Sequence, residues 1–288
     1  MHVRKTFIGV AAAIAVIPAG TALAATIQGG PGNERLVGTR GPDHIDGNGG
    51  NDRIFGLAGD DQLIGGPGND RVFGGRGNDT INGVQGNDWL NGGAGDDTVS
   101  GDANGTGDLT SFDRIFGGSG NDTLNGGDSH DRISGGPGND TSNGENGNDR
   151  MNGGTGDDVQ NGGEGNDTIF ANIGVDTTDG GNGNDTLWAL ARSDVHPGPN
   201  GEVDTTADTL IGGAGDDTFR TRDGEADKIT CGDGGNDNAL LDTADIITDA
   251  IPANPNGSCE RVVRKAPKPR DSKTEDAQQA PKDAQVQH

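Results

Sequence analysis

An acidic residue stands at every ninth position from Glu34 to Asp97, through Asp43, Asp52, Asp61, Asp70, Asp79 and Asp88. The series resumes at Asp113 and continues through Asp122, Asp131, Asp140, Asp149, Asp158, Asp167, Asp176 and Asp185, and a third run holds Asp208 and Asp217. If the chain winds so that these carboxylates stack, their like charges force the turns apart. A hard cation that accepts carboxylate and backbone carbonyl oxygens removes the conflict. Ca²⁺ tolerates irregular shells of about six to eight oxygens, whereas Mg²⁺ demands tighter octahedral geometry and gives up water reluctantly. Transition metals prefer imidazole or thiolate, and the five His residues have no spacing that suits them. The alternative for any single Asp is a turn residue that accepts hydrogen bonds from nearby backbone.

Other chemistries find no constellation. The chain has no His-Glu-x-x-His, no Gly-x-Ser-x-Gly and no phosphate-binding Gly-x-x-x-x-Gly-Lys. Paired carboxylates could mimic a glycosidase, but each sits in a repeat that already explains it. A formal net charge of −25 repels phosphate polymers and anionic membranes. Hydrophobic residues make up only 28% of the chain, which usually leaves a polypeptide disordered. Yet 56 residues are Gly, placed at fixed intervals, so a bound cation is expected to supply what the core lacks.

The elements that position the carboxylates follow from a nine-residue unit. Its first position is Gly from Gly29 to Gly92, its fourth is Gly (Gly32, Gly41, Gly50, Gly59, Gly68, Gly77, Gly86 and Gly95), and its sixth is the acid. The eighth is aliphatic: Leu36, Ile45, Ile54, Leu63, Val72, Ile81, Leu90 and Val99. Gly-Gly-x-Gly-x-Asp makes a turn, and the x-aliphatic-x that follows makes a short strand with its middle side chain inward. A second period of eighteen residues lies beneath the first: Arg35, Arg53 and Arg71 repeat at it, as do Arg114, Arg132 and Arg150, Phe55 and Phe73, and Phe170 and Trp188. The structural unit is therefore a coil of two nonapeptides, stacked as parallel strands over a thin aliphatic core. Ser142, Gln160 and Thr178 replace the aliphatic residue in three alternate units, forming either an inward polar ladder or a locally slipped strand. The Arg columns are expected to neutralise the acidic rows with their stems packed on the surface, the alternative being a ladder presented to an anionic partner. Trp89, Trp188 and Phe170 either cover neighbouring strands or form an exposed patch. Interruptions near residues 101–112 and 189–207 read as extruded loops.

The ends differ from the array. Arg4 and Lys5, an apolar run from Phe7 to Ile17, and Ala22-Leu23-Ala24 have the pattern of an export signal, with an uncleaved anchor as the alternative. Cys231 and Cys259 fit an oxidising destination and one disulfide, or else two free thiols. Residues 264–288, rich in Pro, Lys, Gln and Asp, read as a disordered tail.

Gly65-Gly66-Pro67-Gly68-Asn69-Asp70-Arg71-Val72-Phe73 and Gly117-Gly118-Ser119-Gly120-Asn121-Asp122-Thr123-Leu124-Asn125 resemble the haemolysin-type (RTX) calcium-binding nonapeptide, and the resemblance covers most of residues 29–220. It implies an all-β fold, a right-handed parallel β-roll with several Ca²⁺ ions between stacked turns. The implied ligands are Asp43, Asp52, Asp61, Asp70, Asp79, Asp88, Asp97, Asp122, Asp131, Asp140, Asp149, Asp158, Asp167, Asp185 and Asp217, with carbonyls of turn glycines such as Gly50, Gly59, Gly68, Gly77 and Gly86. Around Glu34, Asp113, Asp176 and Asp208 the pattern is degraded. The segment from Asp227 to Val262 resembles the C-terminal cap of exported repeat proteins of this class, which implies a Cys231–Cys259 bond closing the roll. Toxins and proteases of the family usually carry a large effector domain ahead of the repeats; here the repeats follow the expected signal directly, so those activities are not carried over. Residues 102–113 also resemble an EF-hand loop, without its flanking helices or final Glu. The organisation expected is thus a signal peptide over 1–24, a roll over 25–230, a cap over 231–263 and a tail. The function expected is a secreted, calcium-folded structural or adhesive module. A surface protein binding a wall or matrix polymer through its Arg columns is the alternative, and an enzyme with its site in the interruptions the third reading.

Overall fold

The computed structural model describes residues 24–102, 111–189, 207–221, 225–248 and 257–265. The expected signal peptide and tail lie outside these residues, apart from Ala24 and the two residues Arg264 and Lys265. So do most of the two interruptions.

Two parallel sheets of twelve strands each run the length of the molecule, and successive strands alternate between them. The first sheet begins with Thr26–Gln28 and the second with Arg35–Val37. Each strand pairs with the one two places on, eighteen residues away in the uninterrupted array: Ile45 lies beside Leu63 and Leu63 beside Ile81. This is a parallel β-roll, and among the described residues it contains no helix.

Most strands are longer than the three residues expected. Arg53–Ala58 and Thr80–Gln85 span six, because pairing continues through the first three positions of the next unit. Leu57 pairs with Gly75 and Ala58 with Arg76, so the turn proper shrinks to positions four to six. The second position bends the backbone through positive φ, and Leu57 (φ 84°) and Val84 (φ 90°) accept that conformation despite their side chains. Ladder hydrogen bonds on both sides of the bend hold it there.

The core is one residue deep. Ile45, Ile54, Leu63, Val72, Ile81, Leu90, Val99, Ile115, Leu124, Ile133, Met151 and Ile169 form one buried cluster, and a second begins at Leu187. A full coil buries two such side chains, worth roughly 3–6 kcal/mol together, which falls well short of the cost of ordering eighteen residues. Between the clusters, Ser142, Gln160 and Thr178 lie in register and buried, so they form the inward polar ladder and not a slipped strand. Gln160, with its amide turned accordingly, donates to the Phe170 carbonyl and accepts from the Gly153 N–H, each at 3.0 Å. The hydroxyls of Ser142 and Thr178 find no hydrogen-bond partner.

Both sheets run on past residue 230. Asn238–Leu241 and Arg261–Arg264 extend the second sheet and Ile246–Ile247 ends the first. Cys231 and Cys259 are bonded, with Cα atoms 5.2 Å apart, and both are buried. In the loop-entropy picture, closing this 28-residue separation contributes roughly 3–4 kcal/mol.

Candidate metal sites along the turns

The sixth-position carboxylates form two buried columns, one along each edge of the roll. Each uses one oxygen to tie adjacent coils together. The N–H of Asp52 donates to Asp70 Oδ1 at 2.7 Å, and that of Asp70 to Asp88 Oδ1 at 2.7 Å. The N–H of Asp61 donates likewise to Asp79 Oδ1, and that of Asp79 to Asp97 Oδ1. The side chain thus reaches back to the preceding coil of its own edge.

The other oxygen is left over. Oδ2 of Asp52, Asp61, Asp70, Asp79, Asp88, Asp97, Asp122, Asp131, Asp140, Asp149, Asp158, Asp167, Asp185 and Asp217 is buried without a hydrogen-bond partner among the described residues. Each points over the first-position glycine of its own unit, where the carbonyl oxygen of the next coil's equivalent glycine also arrives in all but the Asp158 and Asp217 turns; the Asp217 turn receives the Cys231 carbonyl instead. A β-carbon at Gly65 would lie 2.5 Å from Asp70 Oδ2 and 2.8 Å from the Gly83 oxygen. The same pair of oxygens crowds Gly56, Gly74, Gly83, Gly92, Gly117 and Gly135. Absence of a side chain at position one therefore keeps a small space lined by a carboxylate and a carbonyl oxygen, repeated from coil to coil. Ala171 stands at this position in the Asp176 turn and puts a methyl group there.

Burial governs the electrostatics. It pushes the Asp88 carboxyl up to about 9, with the charges of Asp113, Asp70 and Asp102 adding to the effect. Asp149 and Asp158 rise to about 8, and Asp97, Asp131, Asp185 and Asp217 to about 7, again from desolvation first and neighbouring carboxylates second. Asp70, Asp79, Asp140 and Asp167 rise to about 6, and Asp52, Asp61 and Asp122 are raised as well. A group that resists ionisation in this way is stabilised as an anion by a nearby cation. Among the described residues no three His, Cys, Asp or Glu side chains converge on one point. The donor set is instead one carboxylate oxygen per turn with backbone carbonyls, which suits a hard oxygen-seeking cation and offers nothing to a thiolate- or imidazole-seeking metal.

The predicted positions do not all behave alike. Oδ2 of Asp43 accepts from the Thr39 N–H and its Oδ1 from the Thr39 hydroxyl, so this second turn is closed on itself. Glu34, with its longer side chain, folds back onto the Gly30 N–H at 3.2 Å. Asp113, Asp176 and Asp208 all stand in the columns, which step across the interruptions with 25 and 32 residues between partners in place of eighteen. Asp113 therefore belongs to the turns, and residues 103–110 of the EF-hand-like segment lie outside the described residues. The carbonyl oxygens of Gly50, Gly59, Gly68 and Gly77 lie against the fourth-position glycine one coil on.

Three features went unread in the sequence. First-position glycines have both a carboxylate oxygen and a carbonyl oxygen close to where a β-carbon would stand. Fifth-position Asn and Asp residues build an outer ladder running the opposite way: Asn51 Oδ1 accepts from the Asn69 N–H, and Asn69 Oδ1 from that of Asn87. The columns also continue through Asp227, Asp237, Asp245 and Glu260, at separations of 18 to 23 residues that hide them from a strict nine-residue count.

The RTX calcium-binding nonapeptide repeat matches residues 28–63, 47–81, 55–90, 73–104, 110–142, 143–160, 153–187 and 204–225, together more than half of the chain. Comparison with curated proteins gives no match.

Proposed function

Because the chain belongs to the RTX calcium-binding nonapeptide repeat family, we propose that it is an exported protein whose roll is folded and held by several Ca²⁺ ions and which serves outside the cell as a structural or adhesive module. The observation that supports this is the column of buried Asp Oδ2 atoms without partners among the described residues, nearly all of them beside a backbone carbonyl of the next coil. The Asp carboxylates from Asp52 to Asp217, with the first-position carbonyls, would hold the ions; Asp43 and the Asp176 turn fit least. Bound Ca²⁺ supplies the positive charge that lets every carboxylate ionise in place. The chain's own residues do the rest: Oδ1 locks neighbouring coils and the glycines keep the space open. The export pattern over residues 4–24 and the Cys231–Cys259 bond support an oxidising, extracellular setting. No catalytic constellation is found in the sequence, which supports a non-enzymatic role.

Extracellular modules commonly bind Ca²⁺ with dissociation constants around 10⁻⁴–10⁻³ M, and metal binding to sites absent from the unfolded chain is coupled to folding. Far-UV circular dichroism of the purified chain should show a cooperative gain of β signal on adding Ca²⁺, and none with Mg²⁺ at the same concentration. A trace that stays disordered up to ~10 mM Ca²⁺, well above that range, would refute the proposal.

A second reading, a surface protein that binds a polymer through its Arg columns, is favoured by one observation. Arg35, Arg53, Arg71, Arg114 and Arg220 make no ion pair with a carboxylate among the described residues, and Arg35, Arg114 and Arg220 lie against aromatic rings instead.

A further inference from the structure

Charge is sorted between the two sheets. Ten of the thirteen Arg and Lys among the described residues lie in strands of the second sheet, and none of its twelve strands contains an acidic residue. The first sheet has the opposite bias: Asp46, Asp102, Asp128, Glu145, Glu164 and Asp179 against a single Lys228. Neutralising the acidic turns would not require this, since the turns flank both sheets equally. A face that carries cationic and no acidic side chains in its strands, on a chain of net charge −25, is a separate feature of the fold.

The face is ordered as well as charged. Arg35, Arg53, Arg71, Trp89, Arg114, Arg132 and Arg150 occupy one register position on seven consecutive strands. At the strand spacing of ~4.8 Å this row is about 29 Å long. Beside it run aromatic rings that stack on one another: Phe55 on Phe73 at 5.2 Å and 6°, Phe170 on Trp188 at 5.9 Å and 13°. Guanidinium groups cap these stacks. Arg35 lies 4.8 Å from the Phe55 centroid, Arg150 4.4 Å from Phe170 and Arg220 4.5 Å from Trp188, while Arg114 and Arg132 share Phe112. Such contacts hold long side chains in place and reduce what is lost when they grip a ligand.

We propose that this face binds a linear acidic glycan carrying carboxylates along its length, laid parallel to the roll axis. Commensurate spacing selects the partner. An extended acidic peptide presents same-side groups every ~6.7 Å, and a nucleic acid duplex presents phosphates every ~3.4 Å along a strand, so each loses step with the Arg row. Single strands are normally held by bases stacking on open ring faces, and here the rings spend their faces on one another and on guanidinium groups. A pyranose residue advances by close to one strand spacing and neighbouring residues face different sides, so same-side carboxylates recur near every second rung. Guanidinium then meets carboxylate in two-point hydrogen bonding. The proposal rests on the calcium-folded roll and specifies the partner for its interaction face.

The test is calorimetric titration of the full chain at fixed free Ca²⁺ with an oligogalacturonate long enough to span the row. Its uncharged methyl ester and a single-stranded oligothymidylate serve as comparisons, and circular dichroism reports the fold throughout. Binding to the acid form alone is expected, weakened roughly tenfold in the variant Arg53→Gln/Arg71→Gln/Arg132→Gln, as three charge pairs allow, and unchanged in Arg40→Gln. Equal binding by wild type and the triple variant would assign the contact to calcium bridging from the turns and overturn the proposal. Preference for the oligothymidylate, or no binding by a chain that circular dichroism shows folded, would overturn it too. Failure to fold with Ca²⁺ would instead refute the calcium reading on which it stands.

Discussion

On the proposed calcium reading, the first-position glycine decides whether a turn can accept an ion. Gly65 has a φ outside the left-handed region, so alanine is tolerated by its backbone; what alanine cannot avoid is Asp70 Oδ2 and the Gly83 carbonyl, 2.5 and 2.8 Å from its methyl. Gly65→Ala is expected to remove one bound Ca²⁺ while leaving the other sites filled, as native mass spectrometry would count. An unchanged ion count would mean that the first-position space is not the site. Ala171→Gly tests the converse and should raise the count by one. At this scale the sequence was partly legible. The period of Asp exposed every column carboxylate from Asp52 to Asp217, because a fixed spacing survives in the linear order. The crowding of first-position glycines by a carboxylate and a carbonyl oxygen was not legible, since positions one and four are equally glycine and only the path of the turn separates them.

At the scale of strands, two sheets share a core one side chain deep, and each strand contributes a single residue to it. Thr178 sits in register beside Gln160 with a buried hydroxyl that bonds to nothing. Replacing it by the isosteric valine removes an uncompensated polar group, and Thr178→Val is expected to raise stability in Ca²⁺ by roughly 1–2 kcal/mol. Ile81→Ala, in the middle of the first cluster, should lower it by about 2–5 kcal/mol. Equilibrium denaturation at fixed Ca²⁺ would read both, and a destabilised Thr178→Val would show that the hydroxyl has a role in the ladder. Element type and pairing followed from the eighteen-residue period, and the inward direction of Ser142, Gln160 and Thr178 was one of its two consequences. Strand length did not follow, because glycine-rich positions one to three read as turn by composition while their backbones still pair. The strands past residue 230 were equally hidden, as their units have lost the nine-residue frame that marks the others.

The whole molecule is a stack of acids that resist ionising where they sit. Without metal, carboxylates such as Asp88, Asp149 and Asp158 hold their protons more tightly in the roll than in the unfolded chain, where Asp titrates near 3.9. The folded state then binds more protons between about pH 4 and 8, so its stability falls as pH rises through that window. In chelator, β structure should therefore strengthen on acidification from pH 8 towards 5, and in Ca²⁺ that dependence should flatten. At pH 6 to 7, metal uptake should release protons, measurable as a buffer-dependent heat. A metal-free chain whose β signal grew with pH instead would show the columns to be stabilising as anions.

The columns cross both interruptions without losing a rung: Asp88 finds Asp113 and Asp176 finds Asp208 as readily as Asp52 finds Asp70. Each coil is thus keyed to its neighbour by side chain and backbone, and not by the number of residues between them. The scaffold behaves like a text in which a parenthesis can open between any two lines without shifting the margin. Foreign peptides placed at residues 103–110 or 190–206 would inherit that tolerance, which makes the roll a ready frame for display.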